Sequence, residues 1–598
     1  MRARFCYNRM KLIARGEETL MDMKQIIAGR IADAAAACFG DCGLDAAGVA
    51  AMLEIPPEKK MGDYALPCFR LSKTLRKAPP VIAAALAAQV TGEEIDRVEV
   101  VGGYLNVFAA RGNMARGIVE AVLAHPGRWG ASDVGKGKTV CLDYSSINIA
   151  KRFHIGHLST TMIGHSLRRI YDFNGYTTVG INHLGDWGTQ FGKMICAYKK
   201  WGSKEEVEKG GVNELVRLYV KFHEEAEQDP ALDDEGRAWF KKIEDGDEEA
   251  RSIWGWFKDI TLRDTARVYD LLGVSFDSYA GESFYNDKMD RVVNELKEKG
   301  LLTISNGASV VDLTELDANG KETKNSMPPC IILRSDGATL YATRDLAAAL
   351  YRQDTYHFDK CLYVVAYQQD LHFRQWFKVL EKMGYPWAGD CVHVAFGMIS
   401  YEGQALATRK GHVVYLEDLL QQAQQKALDI INEKSPDLPD KETVARQVGI
   451  GAVVYADLSN NRIKDIDFRW DRALNFDGET GPYVMYTHAR CCSVLNKAGE
   501  CDAEPDFAAL SDPEAQDVVR LIGQFPEIAK NALNRSEPSM ITRFTVDLAQ
   551  AYNKFYYEHK VMVDDLGARK ARMLLTQATR DLLKNAMYLI GLDAPDRM

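Results

Sequence analysis

Residues 143–170 read DYSSINIAKRFHIGHLSTTMIGHSLRRI, and this stretch decides the fold. It continues a short apolar run, 139–144, through a polar turn into a helical pattern that opens on His154-Ile155-Gly156-His157. A buried strand, a turn and a helix in that order begin a doubly wound sheet, whose ligands sit at the carboxyl ends of strands. Two histidines three residues apart share one face of a helix. Free backbone N–H groups at the helix start favour an anion. Gly156 has no side chain and leaves room for a flat ring or a ribose. The construction suits a nucleoside triphosphate. Two partly buried, satisfied histidines fit the same four residues, so the surroundings have to decide.

Working outward, further apolar runs of strand length occur at 177–181, 361–366 and 391–396, with helical patterns at 155–173 and 371–383. They predict a doubly wound, Rossmann-like α/β domain over 126–400. A charged, mostly helical insertion at 195–340 interrupts it and ends in hairpin-like sequence at 308–313 and 330–333. Residues 21–125 mix helical patterns (24–39, 79–88) with a β-rich run (98–108) and predict a separate α+β domain. Residues 401–480 read as a mobile loop followed by helices. From Gly481-Pro482 to Met598 the pattern is helical, with heptad-like apolar spacing at 566–590, and predicts an all-α bundle.

Several domains are expected of 598 residues. The composition, 46% hydrophobic and 26% charged, is that of a soluble globular protein, with no apolar run of the roughly 18 residues that span a bilayer. A net charge of −10 argues against a nonspecific nucleic-acid coat but permits local basic patches. Twelve cysteines without a secretion signal read as reduced thiols in a cytoplasm. Cys38 and Cys42, and the vicinal Cys491-Cys492, lack a second pair at zinc spacing and read as buried thiols. Residues 1–20 are Arg-rich at their start and resemble a transit peptide. The competing expectation is a start-site extension, with translation beginning at Met21 or Met23.

SSINIAKRFHIGH resembles the nucleotide-binding signature of class I aminoacyl-tRNA synthetases, specifically the arginyl-tRNA synthetases, with Ile147 where the family usually has proline. GINHLGDWGTQFG, 180–192, resembles a second family block. The resemblance implies ligation of L-arginine to its tRNA through an arginyl-adenylate, with ATP and Mg2+ required, tRNA bound before arginine is activated, and a monomer. It implies ATP contacts and catalysis from His154, Gly156 and His157. The family's mobile lysine-rich loop aligns with 405–411, ALATRKG, where both motif lysines are absent. Lys151 is then the expected substitute cation, assisted by Thr408, Arg409 and Lys410.

A substrate guanidinium calls for a carboxylate in bidentate geometry. In TLYATRD, Tyr341 and Asp345 share a helical face, and the family binds arginine at these positions, although Asp345 also fits a simple pair with Arg344. Glu282 is a second carboxylate partner. Asp143, Ser146, Asn148 and Gln369 resemble the ligands of the substrate's α-amino and carboxyl groups. For tRNA, the resemblance points to the N-terminal domain, where Arg70, Lys73, Arg76 and Lys77 share helical spacing, and to Tyr483 and Tyr486 as stacking surfaces in an anticodon-binding bundle. Arg569, Lys570, Arg572, Arg580 and Lys584 are further basic candidates. A solvated surface and an aromatic helix core explain the same residues. Two other readings stand at this stage: a small-molecule nucleotidyltransferase of the same superfamily, and a catalytically silent tRNA-binding paralogue.

Overall fold

The computed structural model describes residues 23–405 and 413–598. Residues 1–22, which carry the start-site question, and 406–412, which carry Thr408, Arg409 and Lys410, lie outside the described residues.

The N-terminal unit is α+β. Strands β1 (Tyr64–Pro67), β2 (Ile95–Val101) and β3 (Tyr104–Ala109) form an antiparallel sheet in the order β1-β3-β2. Helices Met23–Phe39, Ala46–Met52 and Pro79–Ala87 complete it. It has its own core, with Ile27, Ile31, Leu66, Leu86, Leu105 and Val107 fully buried.

The catalytic domain is built on four parallel strands, β4 (Thr139–Asp143), β5 (Thr177–Ile181), β9 (Lys360–Tyr363) and β10 (Cys391–His393), in the order β10-β9-β4-β5. Between β5 and β9 the chain makes a group of long helices (Thr189–Trp201, Lys204–Gln228, Ala231–Asp245, Glu248–Leu272). It then forms an antiparallel sheet of β6 (Leu302–Ser305), β7 (Ala308–Val311) and β8 (Cys330–Leu333). Alternate residues of the parallel strands feed two cores. Val140, Leu142 and Leu362 join the core shared with helix Leu158–Phe173 and the C-terminal bundle. Cys141, Cys361 and Cys391 lie side by side in register on the other face, against helices Tyr341–Tyr356 and Asp370–Lys382. Strand order reverses between β4 and β9, so their carboxyl ends open the crevice where such sheets bind ligands.

A small sheet joins this domain to the helices beyond. In it β11 (Ile399–Tyr401) pairs with β12 (Gln404–Ala405) and, in parallel, with β13 (Ile466–Phe468). Gly481–Ala498, Pro513–Arg535, Ser539–Glu558 and Leu566–Leu589 form the bundle. Its first helix starts where Gly481-Pro482 predicts, and the Thr480 hydroxyl accepts from the Tyr483 N–H. The bundle packs directly on the catalytic domain: Ser166, in the signature stretch, donates to the Leu589 carbonyl at 2.8 Å, and Trp129, ahead of β4, to that of Ile522 at 2.8 Å. Among the described residues no helix is long and apolar enough to cross a membrane.

Candidate active site

Local sequence explains how the signature is held. Tyr144, just past β4, is fully buried against Gly164; a Cβ there would lie 2.2 Å from its ring. The next residues turn sharply, with positive φ at Ser145 (71°), Ser146 (43°) and Ala150 (61°). Such conformations in non-glycine residues persist only where contacts impose them. Here the Ser145 hydroxyl bonds Tyr269 at 2.7 Å, and its N–H donates to Thr160 Oγ1 at 3.1 Å. Thr160 in turn donates to the Val364 carbonyl at 2.7 Å, tying loop, helix and the end of β9 together.

The two histidines do not share an α-helical face as the sequence suggests. His154 is extended and caps a short 3-10 turn, Ile155–His157, and helix Leu158–Phe173 begins only after it. The rings instead face each other, with centroids 3.9 Å apart. His154 Nδ1 accepts from the Gly156 N–H at 3.1 Å, and His157 Nδ1 accepts from the His154 N–H at 3.2 Å. Each neutral ring therefore carries its proton on Nε2, free to donate outward. Burial and the charge of Lys151 push His154 down to about 4. Burial and the neighbouring His154 push His157 down to about 3. Both are neutral donors at pH 7. Lys151 is exposed, close enough for both rings to feel its charge, and has no ion-pair partner among the described residues. Residues 413–415 run alongside the signature. Ile155 N–H donates to the Val414 carbonyl at 2.9 Å, and Leu416 N–H to that of Phe153 at 2.9 Å. Residues 414–416 are thus anchored beside the histidine pair.

The second half of the site is a group of carboxylates. Asp143 accepts from Ser146 Oγ at 2.7 Å and from Arg352 Nη2 at 2.7 Å. Arg352 is 1% exposed, so this ion pair is internal. Asp186, fully buried, holds Lys258 at 2.6 Å and Ser283 at 2.7 Å, which sets the backbone beside Glu282. Glu282 has one long ion-pair contact, 3.5 Å to Arg344, and burial pushes it up to about 7 despite that arginine and a bond from the Trp187 backbone, with Asp186 and Asp345 adding to the rise. Asp345 meets His372 Nε2 at 2.6 Å rather than Arg344. His183, 3.4 Å from Arg352, sits in the field of Asp143, Asp186 and Asp345 together, and burial lowers its proton affinity. Tyr341, 68% exposed, opens helix Tyr341–Tyr356 one turn before Asp345. Gln369 caps helix Asp370–Lys382 at the end of β9. Asn148 pairs with Gly185, where a Cβ would lie 2.1 Å from its Oδ1.

Three family models match in chain order: the arginyl tRNA synthetase N-terminal domain over 21–109, the class I (R) tRNA synthetase catalytic domain over 118–470, and the DALR anticodon binding domain over 484–598. The arginine–tRNA ligase of Clostridioides difficile is 53% identical over 92% of this chain and 96% of its own length. The chain belongs to the arginyl-tRNA synthetase family. The corresponding ligase of Alkaliphilus metalliredigens is 52% identical over 92% of this chain and 95% of its own. The solved arginyl-tRNA synthetase of Thermus thermophilus superposes with a TM-score of 0.75 at 26% identity, covering 96% of this chain and 100% of its own.

Within this arginyl-tRNA synthetase fold, some residues singled out in the sequence are occupied elsewhere. Arg70 pairs with Glu54, and helix Ser72–Leu75 is only four residues long because Arg76 turns left-handed at φ 50°. Arg70, Lys73, Arg76 and Lys77 are all exposed but do not share a continuous helical face. Tyr483 is half-buried and its hydroxyl accepts from Asn553 at 2.9 Å. Tyr486 is 41% exposed and lies under the Arg490 guanidinium, 4.8 Å from its ring centre. Arg569, Lys570 and Arg572 donate to bundle carbonyls, and Arg580 pairs with Asp581. The sequence reading missed Arg352, His372, Asp186 and Ser145. It also missed Tyr556 and Tyr557, of which Tyr556 shares Arg490 with Tyr486 and Tyr557 is 86% exposed. The YNKFYYEH run, 552–559, carried that signal.

Proposed function

We propose that this chain ligates L-arginine to its tRNA in two steps, and that the crevice between β4 and β9 does the chemistry. The arginine carboxylate attacks the α-phosphate of ATP, giving arginyl-adenylate and pyrophosphate. A ribose hydroxyl at the tRNA 3′ end then takes the acyl group and releases AMP. Little covalent chemistry is asked of the protein; it aligns reactants and stabilises charge. His154 and His157 donate from Nε2 to phosphate oxygens, and Gly156 leaves room for the nucleoside. Lys151 supplies the fixed cation, with Thr408, Arg409 and Lys410 assisting from the loop. Mg2+ enters bound to the ATP phosphates.

Glu282 and Asp345 receive the guanidinium, Tyr341 walls it, and Asn148 and Gln369 take the α-amino and carboxyl groups. Asp143 and Ser146 shape the loop from below. The single observation that carries this reading is Glu282, a half-buried carboxylate pushed up to about 7 beside Asp345. A carboxylate whose charged form is disfavoured mainly by desolvation gains most from a cationic ligand that pairs with it. On the tRNA side, we assign stacking to Tyr486, Tyr556 and Tyr557 and phosphate contacts to Lys73, Arg76 and Lys77. The enzyme acts as a monomer in the cytoplasm. Competition with citrulline, which replaces the guanidinium by a neutral ureido group, tests the pocket. Arginine should be charged and citrulline should not compete at a hundredfold excess; equal competition would refute the charge argument.

A further inference from the structure

The C-terminal bundle holds a group of side chains that aminoacylation does not use. Among the described residues, His488, Cys492 and Asp596 bring one imidazole nitrogen, one sulfur and one carboxylate oxygen within 4.8 Å of one another. His488 and Cys492 are four apart on helix Gly481–Ala498 and therefore share a face. Asp596 reaches them from the segment beyond helix Leu566–Leu589. Cys492 Sγ is 3.6 Å from Asp596 Oδ1 and 3.9–4.0 Å from the two ring nitrogens of His488. Donors on a tetrahedral zinc ion, at about 2.0–2.3 Å from the metal, stand roughly 3.5 Å apart.

A second observation points the same way. His488 is 1% exposed, and its Nδ1 lies 3.0 Å from the Pro595 carbonyl. A carbonyl only accepts, so the proton sits on Nδ1 and the lone pair on Nε2. Metal-bound histidines are characteristically held this way, by donating the other ring N–H to a backbone carbonyl or carboxylate. Lys584 and Arg580 also face the group. Burial and Asp596 push the Cys492 thiol up to about 11 against the pull of these two cations, so the arriving ion itself has to displace the proton, and Arg580 is compensated by Asp581 at 2.7 Å.

We propose that His488 Nε2, Cys492 Sγ and Asp596 form a three-ligand site for a zinc-type divalent cation, with solvent completing the tetrahedron on the exposed Asp596 side. A thiolate, an imidazole and a carboxylate together select a borderline-soft ion over Mg2+ or Ca2+. On binding, the Cys492 S–H bond breaks, its proton leaves to solvent, and the sulfur–metal bond forms. The ion links the 593–598 segment to the first bundle helix.

Titration of the full chain with Co2+ under metal-free reducing conditions tests this. One equivalent of Co2+ should bind with a sulfur-to-cobalt charge-transfer band and tetrahedral visible bands, and Zn2+ should displace it. Cys492→Ala should abolish the band. Asp596→Asn, at an exposed position that does not threaten folding, should weaken binding at least tenfold. Zn2+ should raise the melting midpoint of the unsubstituted chain and not of Cys492→Ala. Absence of a thiolate band, its persistence in Cys492→Ala, or unchanged affinity in Asp596→Asn would each overturn the site.

Discussion

Replacing Asp345 by alanine removes the carboxylate assigned to the substrate guanidinium. Two unit charges about 4 Å apart in an environment of effective dielectric near 20 interact by about 4 kcal/mol. The Asp345 side chain is 28% exposed, so solvent screens part of that, and Glu282 remains to hold the cation. We take about 3 kcal/mol, within the roughly 2–5 kcal/mol lost when one partner of a hydrogen-bonded charge pair is truncated. At about 1.4 kcal/mol per tenfold, kcat/KM for arginine should fall about 10²-fold. The assay is arginine-dependent ATP–pyrophosphate exchange with tRNA present. KM for ATP should stay unchanged, because the phosphate contacts come from the other half of the crevice. His372→Ala should cost less, since it removes only the 2.6 Å partner that orients Asp345 and leaves the charge. A loss below about threefold in Asp345→Ala, or a larger loss in His372→Ala, would refute the pocket assignment.

Glu282 predicts a pH dependence. It is ionised above about 7 and protonated below. An arriving guanidinium favours the ionised form, so KM for arginine should rise as pH falls from 8 to 6, by up to about tenfold per unit. Glu282→Gln should raise KM at pH 8 and flatten that profile; an unchanged profile would contradict the assignment. Arg352→Met leaves the Asp143 charge buried without its partner and should destabilise the catalytic domain by about 3–5 kcal/mol. Thermal melting checks this, and the Arg352→Met, Asp143→Asn double variant should recover part of the loss. Lys151→Ala should slow adenylate formation more than Lys410→Ala does, by up to about 10²-fold for a lost charge contact. Equal, small effects in single-turnover assays would remove Lys151 from the phosphate site.

Much of the fold was legible because buried parallel strands are continuous apolar runs, and the run 139–144 contains the buried β4, Thr139–Asp143, to within a residue; the edge strand 177–181 also has its expected bounds although it is only partly buried. The runs 361–366 and 391–396 overshoot their strands for a physical reason. Val364 and Val394 still donate to the Asp143 and Tyr363 carbonyls of the neighbouring strands, and Phe396 forms an isolated bridge with Ala366, so the buried chain continues past the last regular ladder pair toward the crevice. The signature was legible as a string but its geometry was not. Whether His154 starts a helix or caps a turn depends on its backbone bond to His157. Arg352 was illegible, since ALYRQD on a helix reads as surface, and only the fold brings it to Asp143, 209 residues away in sequence. Ser145 and Tyr269, 124 residues apart, are the same kind of partner. The Arg70 to Lys77 patch was misread as one helical face because propensity does not reveal that Arg76 adopts a left-handed conformation. The reading of buried thiols holds for Cys491 and Cys492, which are free and buried, whereas Cys38 and Cys42 are free but only half-buried. Cys492 has no second thiol at zinc spacing, but its neighbours His488 and Asp596 come together only through the fold.

The most direct test of the account is arginine-dependent ATP–pyrophosphate exchange by the purified chain, with and without tRNA. Exchange that appears when tRNA is present, with arginine and not with citrulline, is the predicted result. No exchange in either condition, with tRNA binding intact, would contradict it and leave a silent tRNA-binding relative.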